Sequence, residues 1–297
     1  MNHIEDHHLQ LPIGVSVVRA VQSSADGGSD RLPNCYVVRE DVLTIAVEQI
    51  GTYALMWTPT EAPPGDVGYT AEDGVLAEGR VPEALALAAG FALSEGIIDR
   101  LTDIAAMWVC RDRPDVVNIR LVRPDAVAVH RRNVVVNSSC GVCGGREQLT
   151  AAVGATAPTM ARLRLRVGDL ATIRSGMQER QQVFAGTGGT HGAALFDRDL
   201  NLLSVAEDLG RHNALDKVIG RHLLGGHTFE GCGAFISSRV SYEMTVKAVR
   251  AGLELLAAIS APSSLAIELA ERHGLTLCGF VRDQRTTIYS HPERLMA

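Results

Sequence analysis

The 297-residue chain has no excess of positive charge: 28 lysines and arginines stand against 34 aspartates and glutamates, a net charge of −6. Broad nucleic-acid binding rests on a basic surface, so that class is set aside. Long apolar runs are missing too. The most apolar later stretch, Val246 to Ile259, carries Lys247, Arg250 and Glu254 and is too short to span a bilayer. The start, Met1 to His8, is acidic and histidine-bearing, unlike the basic start of a signal peptide. The six cysteines lack the spacing of a secreted disulfide framework. A soluble, cytoplasmic protein with no membrane or nucleic-acid partner is expected. A second Cys-x-x-Cys is also absent, since Cys35, Cys110, Cys232 and Cys278 stand alone. A zinc centre closed by protein alone needs four ligands, so no permanently bound metal is expected.

What is present centres on Asn137 to Gly145, which holds Cys140 and Cys143 among serines and glycines just after the β-branched run Val134–Val136. A Cys-x-x-Cys in an exposed, bending loop serves as half a zinc site, a redox couple or a sulfur carrier. Reactive thiols fit best, because inert free cysteine prefers burial.

At 46% hydrophobic and 21% charged residues, the chain can build two cores. Residues 1–33 read as a flexible tail, with Ser23 to Asp30 of looping composition. Residues 34–136 read as a small α+β domain with strands near Tyr36–Arg39, Leu43–Val47 and Tyr53–Trp57. A Pro/Gly-rich insertion without periodicity fills 58–81, and a helix runs from Pro82 to Gly96 with Leu87 and Phe91 on one face. Strands near Val116–Val122 and Val127–Val136 complete that domain. Residues 137–297 alternate helices and short strands, as a layered α/β domain does.

Four features of the second domain carry candidate chemistry. A helix over Gly168 to Gln182 leads to a glycine cluster, Gly186, Gly188 and Gly189, whose amides are expected to be free to cradle an anion, with His191 beside it. Glu207 to Lys217 packs Arg211, His212, Asn213 and Asp216 at the start of a helix, more densely than a solvated face requires. Gly233 to Arg239 reads as a strand whose C-terminal end presents Ser237, Ser238 and Arg239, where open α/β sheets take ligands. A last strand delivers Arg282 and Arg285, whose forked donors suit phosphate.

Together, several stretches in this order resemble the FdhD/NarQ family of formate dehydrogenase accessory sulfurtransferases. They are Ala89 to Ile98, Ser139 to Gly144, Thr187 to His191, Glu207 to Lys217, Ser260 to Ala266 and Leu277 to Arg282. The resemblance implies a cytidine-deaminase-like three-layer α/β domain preceded by a smaller α+β domain, in a homodimer. It implies a persulfide on Cys140, assisted or relayed by Cys143, filled by a cysteine desulfurase. The sulfur would pass to the molybdenum cofactor, a bis-molybdopterin guanine dinucleotide bound as substrate, on its way to formate dehydrogenase. Phe280, Val281, Arg282, Asp283, Gln284 and Arg285 would match the cofactor-contacting segment. Gly188, Gly189, His191, Arg211, His212, Asn213, Ser238 and Arg239 would line the same pocket. A non-catalytic chaperone of the cofactor or of formate dehydrogenase is the alternative. A zinc deaminase fits poorly: Ser139 stands where its motif needs proline, and Ala193 stands two residues after His191 in place of glutamate.

Overall fold

The computed structural model describes residues 11–75, 81–127, 134–136 and 162–296. Cys140 and Cys143 lie outside the described residues.

In the first half, strands β1 (Val15–Ser23) and β2 (Ser29–Val38) form an antiparallel ribbon closed by a turn with Gly27 at φ 92°. Much of the stretch expected as a tail is therefore ordered pairing. Its strands are nearly all half-buried or exposed, so no apolar alternation marks them. The chain continues through β3 (Asp41–Val47), β4 (Gly51–Trp57), β5 (Val67–Thr70), β6 (Gly74–Val75), α1 (Glu83–Ser94), β7 (Ile104–Cys110), β8 (Arg113–Leu121) and β9 (Val134–Val136). Seven of these strands form a sheet in the order β6-β5-β7-β8-β3-β4-β9. Leu43, Ile45 and Val47 alternate into the core from β3, as do Tyr53, Leu55 and Trp57 from β4. The segment expected as a structureless insertion supplies β5, which pairs with β7 and extends the sheet.

The second half runs β10 (Leu165–Arg166), α2 (Asp169–Gln178), α3 (Gln182–Thr187), β11 (His191–Phe196), β12 (Leu202–Asp208), α4 (Arg211–Leu224), β13 (Gly233–Ile236), α5 (Tyr242–Ala251), β14 (Leu255–Ala258), α6 (Ser264–Arg272), β15 (Thr276–Gly279), β16 (Thr287–Ser290) and β17 (Leu295–Met296). The single helix expected over Gly168 to Gln182 ends at Gln178, and a separate short helix follows. Six strands order as β12-β11-β13-β14-β15-β16, with β13, β14 and β15 parallel and the flanking pairs antiparallel. Side chains alternate between two layers. Ala194, Phe196, Phe235, Leu255, Ala257 and Cys278 pack with Leu170, Ile173 and Met177 of α2. Ala193, Leu195, Ala234, Ile236, Leu256, Ala258 and Leu277 join the core containing α4, α5 and α6. The fold class is thus the one expected: a three-layer α/β half preceded by a smaller α+β half.

The halves share one core. Helix α1 is buried at every residue, because it packs on β7 and β8 and also against α4 and α5. Where α1 crosses α4 the backbones nearly touch. A Cβ on Gly220 would fall 1.8 Å from the Ala86 carbonyl oxygen, and one on Gly90 would fall 1.9 Å from that of Asp216. Only glycine permits this approach.

Candidate functional site

The sheet brings most of the candidate residues to one edge. Parallel strands β13, β14 and β15 end together there, at Ser237 to Arg239, at Ile259 and Ser260, and at Phe280 to Arg285. Strand β11 is antiparallel to β13 and so begins at that edge with His191. Strand β12 leaves the sheet there, Asp208 facing His191, and leads into Arg211 and His212 at the start of α4. Five chain segments meet because of this strand order.

The acidic and amide members of Glu207 to Lys217 turn out to hold the fold together. The Glu207 carboxylate accepts from the Val183 and Phe184 amides at 2.9 and 2.8 Å and from the Thr190 hydroxyl at 2.8 Å, capping α3 and pinning the glycine loop. Asp208, fully buried, accepts from the Thr58 and Gly210 amides and from Lys217. The Asn213 amide donates to the Met56 carbonyl at 2.7 Å and to Asp208 at 3.0 Å, so Asn213 is buried structure rather than pocket wall. Lys217 also reaches Glu83 at 2.8 Å, and Asp216 meets Lys247 at 2.8 Å and Ser94 at 2.8 Å. Arg211 and His212 alone of this cluster's candidate residues remain part-exposed.

The glycine loop also differs from expectation. Gly188 takes the left-handed conformation that closes α3, its N–H donating to the Phe184 carbonyl, while the Gly189 N–H donates to the Thr187 hydroxyl. These two amides are spent on the helix end and are not free for an anion. His191 is held instead by Ser237. The Gly192 N–H donates to the Ser237 hydroxyl oxygen at 2.9 Å, and that hydroxyl lies 3.5 Å from His191 Nδ1. The hydroxyl can donate to Nδ1 or accept from it, so the contact orients the ring with either nitrogen carrying the proton. Burial, reinforced by the neighbouring Arg211, His212 and Arg239 charges, lowers the His191 pKa despite Asp208. His212 Nε2 stands 2.9 Å from the Glu243 carboxylate without the alignment of a hydrogen bond.

The 280–286 loop joins β15 to β16 and is closed by the Arg282 N–H donating to the Arg285 carbonyl at 2.8 Å. Phe280 is exposed with φ 52°, whereas Val281 is fully buried and offers the edge no side chain. Arg282 donates to the Ile259 and Val281 carbonyls, both at 2.8 Å, over the end of β14. Gln284 and Arg285 are exposed. Asp283 pairs with Arg174 of α2, a residue that sequence reasoning did not connect with the site. Ser238 is buried, its hydroxyl donating to the Arg239 carbonyl. Arg211, Arg239 and Arg285 make no ion pair among the described residues. The edge is therefore rich in unneutralised guanidinium groups.

Fold and edge together define an α/β protein whose parallel strands end together at an edge where guanidinium groups gather, the place at which open α/β sheets commonly take ligands. Residues 80–296 match the FdhD/NarQ family, and the chain belongs to that family. It is 43% identical over 215 residues to the sulfur carrier protein FdhD of Xanthomonas euvesicatoria pv. vesicatoria, covering 70% of this chain and 75% of that one. It is 38% identical over 215 residues to the sulfur carrier protein FdhD of Picrophilus torridus, covering 71% and 80%. The crystal structure of a protein provisionally assigned as a formate dehydrogenase accessory protein, from Desulfotalea psychrophila, superposes with a TM-score of 0.70 at 22% identity, covering 95% of this chain and 99% of that one. That likeness extends the agreement in fold to the first half.

Proposed function

We propose that the protein is a sulfur carrier for formate dehydrogenase and acts as a sulfurtransferase through a persulfide on Cys140. The observation that carries this reading is the 43% identity to a sulfur carrier protein over 215 residues. The thiolate of Cys140 attacks the terminal sulfur of a cysteine desulfurase persulfide. The S–S bond there breaks, the desulfurase cysteine leaves as thiolate, and Cys140 gains the sulfur with no external oxidant. Cys143 assists or relays that sulfur. The receiving substrate is the molybdenum cofactor as bis-molybdopterin guanine dinucleotide, before its insertion into formate dehydrogenase. Its phosphates suit Arg211, Arg239, Arg282 and Arg285 at the strand ends. The His191 ring, oriented by Ser237, is a hydrogen-bonding group for the same ligand, and exposed Phe280 is a surface for its base. The protein works in the cytoplasm as a homodimer in this reading.

Intact-protein mass spectrometry after incubation with a cysteine desulfurase and cysteine tests the proposal. The wild type should gain one or more reducible sulfur atoms, and Cys140→Ala should gain none. No gain in the wild type, with guanine-nucleotide binding intact, would replace the sulfurtransferase with a cofactor chaperone.

A further inference from the structure

We propose that Arg174 is a positioning residue for the 280–286 loop: it draws the Asp283 carboxylate toward α2, so that the arginines flanking Asp283 meet an anionic ligand unopposed. The inference rests on the proposed function, which brings a diphosphate-bearing nucleotide to this edge. Arg282, Asp283, Gln284 and Arg285 are consecutive and all exposed. A carboxylate between two phosphate-binding arginines is an internal competitor for the ligand, being permanently present at a very short distance. The structure separates the charges. Arg282 lies over the end of β14 through the Ile259 carbonyl, whereas Asp283 is bonded to Arg174 on α2, a helix of the opposite layer from α4, α5 and α6.

Two further observations give Arg174 this task rather than a general structural one. Asp283 is its hydrogen-bond partner among the described residues, and its Nε is buried with none. Its side chain is only 15% exposed while that of Asp283 is 79% exposed, so a largely buried arginine restrains a carboxylate that has no other partner among the described residues. A pair of this kind contributes little to stability, but it decides where the negative charge sits.

The test measures GDP binding to the full-length protein by calorimetry at low and physiological salt, since GDP carries the base and diphosphate of the guanine-dinucleotide substrate. Arg174→Gln should weaken binding about fivefold at low salt, less at high salt, as expected for one charge near a solvent-exposed site. Arg174→Lys should keep the affinity within about twofold, because the cation is retained. Adding Asp283→Asn to Arg174→Gln should restore the affinity lost in the single variant, a rescue that a merely structural arginine would not show. Unchanged binding in Arg174→Gln overturns the inference, as does a double variant as weak as the single one. Absence of GDP binding by the wild type instead overturns the nucleotide-binding part of the proposed function, and this inference with it.

Discussion

His191 shows how one side chain acquires a defined state from its surroundings. Burial comes first, and the nearby cations add to it, so its folded pKa lies below the ordinary 6.5. The unfolded chain therefore binds a proton more readily. The contribution of neutral His191 to stability is complete above pH 6.5 and is lost as pH falls through the lowered folded value. NMR titration should place the His191 midpoint below 6.5, and Arg211→Gln should move it upward; a midpoint at or above 6.5 would contradict this account of the edge. Thiols differ in the same way. Burial pushes Cys278 up to about 12 and Cys232, helped by Asp197 and Glu254, up to about 11. Neither should be alkylated in the native protein at pH 8, whereas exposed Cys110 should react within minutes. Peptide mapping after iodoacetamide checks this, and protection of Cys278 is the outcome most closely tied to the fold.

At the scale of elements, the α1–α4 crossing is the least forgiving contact. Gly220→Ala would place a methyl 1.8 Å from the Ala86 carbonyl oxygen, where the nearest obstacle is backbone and cannot rotate away. The helices must separate, which should cost about 2–4 kcal/mol, at the upper end of overpacking. The urea midpoint should fall accordingly, while Gly186→Ala, with open space around it, should stay close to the wild type. Strands β3 and β4 were legible because alternate residues are buried, and α1 because Pro82 and Gly96 bracket an apolar run. Of the ribbon only the end of β2 was, as the strand near Tyr36–Arg39, since the rest has no strongly buried face to leave a period-two trace. The Glu207 to Lys217 cluster was legible as unusual but not as structure: whether a buried polar group binds a ligand or the fold depends on partners such as Thr58 and Val183, which only the folded chain brings near. Arg174 gave no signal, lying 109 residues from Asp283.

For the whole molecule, the same cluster ties the two halves together. Lys217 is fully buried between Glu83 of α1 and Asp208 of β12, and donates to the Thr58 carbonyl as well. Burial opposes its charge, but the two carboxylates outweigh that and raise its pKa. Glu83 is held below its ordinary 4.5: burial works against its charge, and Lys217 with the Thr60 hydrogen bonds overcomes it. Lys217→Met strands two buried carboxylates at the junction and should cost about 3–5 kcal/mol, the range for breaking rather than replacing a buried ion cluster. The sign of its pH dependence follows. In the wild type the Glu83 contribution is present above pH 4.5 and lost as pH falls through its lowered value, whereas in the variant both carboxylates relieve their burial by taking up protons. The stability gap should therefore narrow as pH falls. Adding Glu83→Gln and Asp208→Asn should recover part of the loss at pH 7, because neutral amides need no cation. Chemical denaturation followed by fluorescence of Trp57 and Trp108 in the first half and by circular dichroism should give one coincident transition in the wild type. Two separated transitions would show that the shared core and this ion cluster do not couple the halves.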